Sequence, residues 1–183
     1  MQRTFLTWLM ITVSLPLFGS GELSLTIGTE GLVRKQGLMV YNNELLSGYT
    51  YELYTNGNTK LKTHWVNGKR HGKQLSWFEN GKIKEIRFYK NNRKDDQHQG
   101  WFGDGTPRFE YNFIDGQYHG SSKEWYPDGS IASEHNYEMG KESGTQKVYE
   151  ANGQIRANYV VKDGYRYGLV GSKNCITSPT AQL

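Results

Sequence analysis

The chain has one cysteine, Cys175, among 183 residues, so it cannot form an internal disulfide or a cysteine-based zinc site. A lone cysteine of this kind reads as a small buried residue, ahead of a link to another chain. Proline is scarce, with 4 residues, and apolar residues make up only 36%. That is too little for a thick globular core. No two histidines have helical metal-ligand spacing, and there is no nucleophile elbow or phosphate-binding glycine loop. The sequence therefore offers no catalytic residue, no metal ligand set and no cofactor site. The net charge of +4 is modest, and the basic residues are interspersed with acids, which argues against nucleic acid as a partner. Aromatics are abundant at 14%, and there are 22 glycines. That balance favours strands and tight turns over helices.

Long apolar runs are also missing, with one exception. Arg3 precedes "FLTWLMITVSLPLF" and then "GSG". A charged start, a short apolar run and small residues form the pattern of a secretory signal peptide, with cleavage near Gly21. The run is shorter than the roughly 20 residues of a membrane-spanning helix. Loss of Arg3 lowers the net charge from +4 to +3. The expected location is the periplasm, the cell envelope or the exterior.

Beyond this leader the sequence repeats. Gly57, Gly81, Gly105, Gly129 and Gly153 are 24 residues apart, each preceded by Asn or Asp. A second column holds Gly68, Asn92, Gly116, Gly140 and Gly164, and a third holds Gly72, Asp96, Gly120, Gly144 and Gly168. The aromatic columns keep step: Leu53, Trp77, Trp101, Trp125 and Tyr149 in one, Trp65, Tyr89, Phe113, Tyr137 and Val161 in another. A fixed period of this kind marks a one-dimensional repeat array. The expected fold is all-β, an elongated antiparallel meander of tandem 24-residue hairpins. The expected parts are a signal peptide (1–21), an N-terminal cap with an incomplete repeat (22–47), five repeats (48–171) and a tail (172–183).

Each unit reads as strand, Asn/Asp-Gly turn, strand, longer turn. "YPDG" (126–129) fits a three-residue loop with a left-handed Gly129, opposing Tyr126 to Ser130 and Trp125 to Ile131. Carried along the strands, that parity puts Trp125, Ile131 and Tyr137 on one face, and likewise Trp77, Ile83 and Tyr89. Phe78, Lys84 and Phe88 then define a wetter face.

The stretch 51–84 resembles the MORN repeat, closest to the bacterial variant of proteins labelled YwqK-type antitoxins. "ENGK" (79–82), Trp65 through Lys69 and His71-Gly72 carry the resemblance, and "GLMVYNNELLSG" (37–48) is similar to the lead-in of such arrays. The resemblance implies a hairpin meander without catalytic residues. It further implies roles in scaffolding, protein contacts or acidic phospholipid binding. The antitoxin label implies a cytosolic partner, which the leader at 1–21 opposes.

The turn glycines Gly57, Gly81, Gly105, Gly129 and Gly153, with Gly68, Gly116, Gly140 and Gly164, are read as structural. His71 and His119 share a turn column, and His135 reads as a tolerant surface position. The candidate contacts are the basic turn residues Lys69, Arg70, Arg93, Lys94, Lys141 and Arg166, together with Asp95, Asp96 and His98. The basic residues recur at one phase and could line one edge against anionic lipid. The other three lie in "NNRKDDQH" (91–98), which lacks both expected glycines. They read either as a cation or partner site, or as a looser turn exposed to solvent. The same copy has Pro107 where Ile83, Ile131 and Ile155 stand elsewhere. The favoured function is a non-enzymatic exported module that binds or scaffolds a protein partner in the envelope. A peripheral binder of anionic membranes, an antitoxin-like neutralising protein and a structural spacer are the alternatives.

Overall fold

The computed structural model describes residues 22–171, which contain no helix. Cys175 and the leader at 1–21 lie outside the described residues. The chain opens with β1 (Leu23–Thr26), β2 (Leu32–Lys35), β3 (Leu38–Tyr41) and β4 (Glu44–Leu45). The first full hairpin is β5 (Gly48–Leu53) and β6 (Thr59–Val66), and the second is β7 (Lys69–Trp77) and β8 (Ile83–Lys90). The third comprises the short β9 (Arg93–Lys94), β10 (Asp96–Trp101) and β11 (Pro107–Ile114). β12 (Gln117–Trp125) and β13 (Ile131–Glu138) follow, then β14 (Lys141–Glu142), β15 (Gly144–Tyr149), β16 (Ile155–Lys162) and β17 (Tyr165–Leu169).

From β5 to β17 successive strands pair antiparallel in one 14-stranded sheet, the all-β meander expected from the repeats. The start departs from a pure meander. β1 joins the sheet parallel to β5, with Leu23 opposite Gly48 and Thr26 opposite Tyr51. Parallel pairing needs a long connection, and the stretch between β1 and β5 supplies it. That stretch folds as a separate three-stranded sheet, β2-β3-β4. Met39 and Leu46 from it pack on Trp65, which is 2% exposed, and tie it to the first repeat.

The hydrogen bonds of the first turn follow the three-residue pattern. Tyr126 N donates to Ser130 O at 2.9 Å, Gly129 N donates to Tyr126 O at 2.9 Å, and Gly129 has φ +84°. Asp128 Oδ1 accepts from Ser130 N at 2.9 Å and completes an Asx turn. The second turn is shorter than expected. Asn67-Gly68, Asp115-Gly116 and Asp163-Gly164 all have positive φ at both residues, which makes two-residue type I′ turns.

The parity drawn from the loop does not survive along the strands. Trp125 does oppose Ile131, but the next pair is Glu124 with Ser133. Ala132 therefore has no partner across the ladder, and this bulge exchanges the faces beyond it. Lys84 is passed over in the same way between Trp77–Ile83 and Ser76–Glu85. Consequently Trp77 and Ile83 lie on one face and Tyr89 on the other. The rule from loop length was sound for the turn and blind to the bulge that follows it.

Two turn positions make this geometry testable. Gly129→Val puts a β-branched residue in a left-handed conformation, and its Cβ would meet only Thr106 Cγ2 at 3.6 Å. The loss of about 1–2 kcal/mol is therefore conformational, and thermal unfolding should show a lowered Tm. Met139 holds φ +45° at the position where other copies have Asn67, Asn91, Asp115 and Asp163. Met139→Asn should raise the Tm, with a gain of about 0.5–1 kcal/mol.

Candidate functional site: the two faces of the sheet

The register fixes two unlike faces. On the buried face a central row runs Thr50, Gln74, His98, Ser122 and Gln146, one residue per repeat. It pairs across the ladder with Thr63, Arg87, Tyr111, His135 and Tyr159, in Thr50–Thr63, Gln74–Arg87, His98–Tyr111, Ser122–His135 and Gln146–Tyr159. His98 and Gln146 are 0% exposed. A buried polar row must satisfy itself. Trp65 Nε1 donates to Thr50 Oγ1 at 2.8 Å, and Gln74 Nε2 donates to Thr63 Oγ1 at 2.8 Å. His135 bonds Gln146 Oε1 through Nδ1 at 2.8 Å, so it is a member of this network and not a tolerant surface position.

Flanking that row, Trp65, Tyr89 and Phe113 each carry a cation from a neighbouring segment. Arg34 lies 5.6 Å from the Trp65 ring centre, Arg70 lies 4.1 Å from Tyr89 and Lys94 lies 4.8 Å from Phe113. In the next copy Tyr118 replaces the cation, with its ring 5.0 Å from Tyr137. Arg166 ends the series 5.2 Å from Tyr159, and its Nη2 is 2.8 Å from Glu142. Each such contact is worth about 0.5–1 kcal/mol at an exposed site.

The basic turn residues thus divide. Arg70, Lys94 and Arg166 lie over rings of the buried face, while Lys69, Arg93 and Lys141 are exposed. Arg93 forms an ion pair with Asp115, which holds its guanidinium pKa up through that hydrogen bond and the opposite charge. Burial, with Arg87 and Arg70 nearby, pushes the Lys94 ammonium pKa down.

Residues 91–98 are more ordered than the missing glycines suggested. Asn92 has φ +70° and Asp96 φ +61°, so both take the left-handed conformations that glycine takes in other copies. Asn92 N donates to Arg70 O at 2.9 Å, and Asn92 Oδ1 accepts from Arg70 N at 2.8 Å. A glycine could make only the first of these bonds. Asp96 Oδ1 accepts from Gln97 N at 2.8 Å. Asp95 Oδ1 accepts from Asp115 N at 3.4 Å. His98 lies in β10, fully buried, not on an exposed loop. Among the described residues no three His, Cys, Asp or Glu side chains gather in metal-binding fashion.

No periodic pattern pointed to the cluster beside His98. Glu85 sits between Arg87 Nε at 2.7 Å and Arg108 Nη2 at 2.6 Å. Burial alone would raise the Glu85 carboxyl pKa, but the two arginines hold it below its usual value. Phe109 stacks on Tyr111 with ring centres 4.6 Å apart, and Tyr111 donates its hydroxyl proton to Glu124. Phe109 also lies flat over Gly100, where an added Cβ would come within 2.3 Å of the ring. Arg87, Arg108, Phe109, Tyr111 and Glu124 line an open cleft of about 360 Å³, which Trp125 borders from the end of β12. Only the bulge, which brings Arg108 toward Glu85, assembles this group, and periodicity does not reveal it.

His98 is the titratable group of the buried face. Its Nε2 donates to Phe88 O at 2.7 Å, while Nδ1 has no partner among the described residues. Burial lowers its pKa below 6.5, the bond to Phe88 O opposes this, and Arg87 and Lys94 lower it further. The folded state then binds a proton less readily than the unfolded chain. Stability is full above about pH 6.5 and is lost as pH falls toward the folded pKa. Two repeats later, Gln146 Nε2 makes the equivalent bond to Asn136 O at 2.7 Å. His98→Gln should therefore fold and should flatten the fall in Tm between about pH 6.5 and 5 relative to the parent.

Two segments, residues 70–91 and 118–139, match the family model described as the MORN repeat variant. They lie two repeat periods apart, and each spans a hairpin from a type I′ turn to the next. No curated protein matches the chain. MORN repeats are a non-catalytic repeat type associated with protein or membrane binding, and these two hairpins of the sheet are similar to them.

Proposed function

We propose that this chain is an exported, non-enzymatic platform that holds a protein partner in the cell envelope. The observation that carries the reading is on the open face. Trp77, Trp101, Trp125 and Tyr149 recur there once per repeat, half-exposed, beside Ile83, Pro107, Ile131 and Ile155. Rows of rigid aromatics at regular spacing are suited to protein contacts, where Trp and Tyr anchors carry most of the affinity. The leader at 1–21 supports an envelope setting. The reading as a peripheral binder of anionic membranes finds less support. Arg93 is neutralised by Asp115, and Arg70, Lys94 and Arg166 are laid on rings of the opposite face.

Two measurements test the platform. N-terminal sequencing of protein from the envelope fraction should begin near residue 22, and an intact Met1 in the cytosol would contradict export. In-cell crosslinking should give a defined adduct that Trp101→Ser with Trp125→Ser removes while the Tm holds. An adduct pattern unchanged by that pair would place the contact elsewhere.

A further inference from the structure

The open face is electrically uneven. One row crosses the whole sheet through directly opposed residues. It begins Tyr51, Lys62, Leu75, Ile86, Gln99 and continues Glu110, Lys123, Glu134, Lys147, Asn158. In its second half opposite charges alternate across neighbouring strands, and Lys123 Nζ reaches Glu134 at 3.6 Å. Cross-strand pairs of this kind neutralise themselves. The first half has no such partner. Lys62 opposes Leu75, and Lys73 opposes Phe88 in the adjoining row.

The lysines of this first half are nevertheless held in place. Lys62 Nζ is 4.2 Å from the Tyr49 ring centre and Lys73 Nζ is 5.4 Å from Phe88. Among the described residues neither has a carboxylate in ion-pair range. Glu22 lies at this end of the face, with its Oε1 3.6 Å from His64 Nε2, beside Tyr49.

We infer that the first half of the open face, centred on Lys62 and Lys73 with Leu75, Ile86 and Phe88 beside them, docks an acidic segment of a partner protein. This rests on the platform reading and names the chemistry of its partner. The ring-anchored ammonium groups supply charge complementary to carboxylates. The apolar side chains beside them take the partner's aliphatic or aromatic residues. Burial between the two strengthens the ion pairs relative to water. The second half of the face, already zipped by its own charges, serves only as a continuation of the surface.

A labelled Glu–Tyr copolymer is the probe, measured by fluorescence anisotropy against the purified protein. Binding should be saturable and should weaken with added salt. Lys62→Gln with Lys73→Gln should weaken it about tenfold, or about 1.4 kcal/mol. Lys123→Gln with Lys147→Gln should change it by less than about twofold, since Lys123 pairs with Glu134 and Lys147 lies opposite that same carboxylate. Three results overturn the assignment: no binding by the parent, equal loss in both pairs of variants, or tighter binding to phosphatidylserine vesicles or oligothymidylate through Lys62 and Lys73. Each leaves the platform itself standing if the Trp101 and Trp125 adduct persists. Loss of that adduct's dependence on the tryptophans would instead remove the platform.

Discussion

A sheet one layer thick has no second layer to cover its side chains. Each buried group must be shielded by neighbours on its own face, one strand away. This constraint accounts for the composition of the repeat. Wide flat rings shield most per residue, hence Trp65, Tyr89 and Phe113 in one column. Long cationic stems lie over them and keep their charged ends near water, as Arg70 and Lys94 do. A purely apolar spine would gain little under so thin a cover. The central row is instead Thr50, Gln74, His98, Ser122 and Gln146, and most of its members bond to a neighbouring strand.

The hairpin meander and the first turn of each unit were legible because each depends on local chemistry. An Asn-Gly or Asp-Gly pair states its backbone conformation without reference to the rest of the chain. The two missing glycines of copy three were legible in part, since Asn92 tolerates a left-handed backbone wherever it stands. What could not be read is what depends on the register. Ala132 and Lys84 look like ordinary strand residues, yet the ladder passes over both, and that decides which face Tyr137 and Tyr89 occupy. The burial of His98 and the bond of His135 to Gln146 follow from the same register. So does the meeting of Glu85 with Arg87 and Arg108, residues that a repeat table assigns to separate columns. β1 escaped notice for a different reason. Its parallel pairing with β5 is a long-range contact with no periodic signature.

Copy three illustrates how departures from a repeat compensate one another. Pro107 lacks a backbone donor, and it stands at the start of β11, where strands tolerate proline best. Gly100, in the strand opposite, has no side chain, and the Phe109 ring fills that space. Asn92 adds a bond to Arg70 that glycine could not make. The most irregular copy is therefore not the loosest. It is cross-linked to its predecessor by its own exceptions, and it holds most of the aromatic cluster.

The bulge after each first turn has a consequence at the level of the gene. Because each unit resets the faces in the same way, adding or removing a whole 24-residue unit leaves every remaining side chain on its proper side. Adding or removing a single residue within a strand turns every later position of that strand inside out. Length variation in such an array is thus confined to whole units, and the number of units becomes a heritable ruler for the size of the surface.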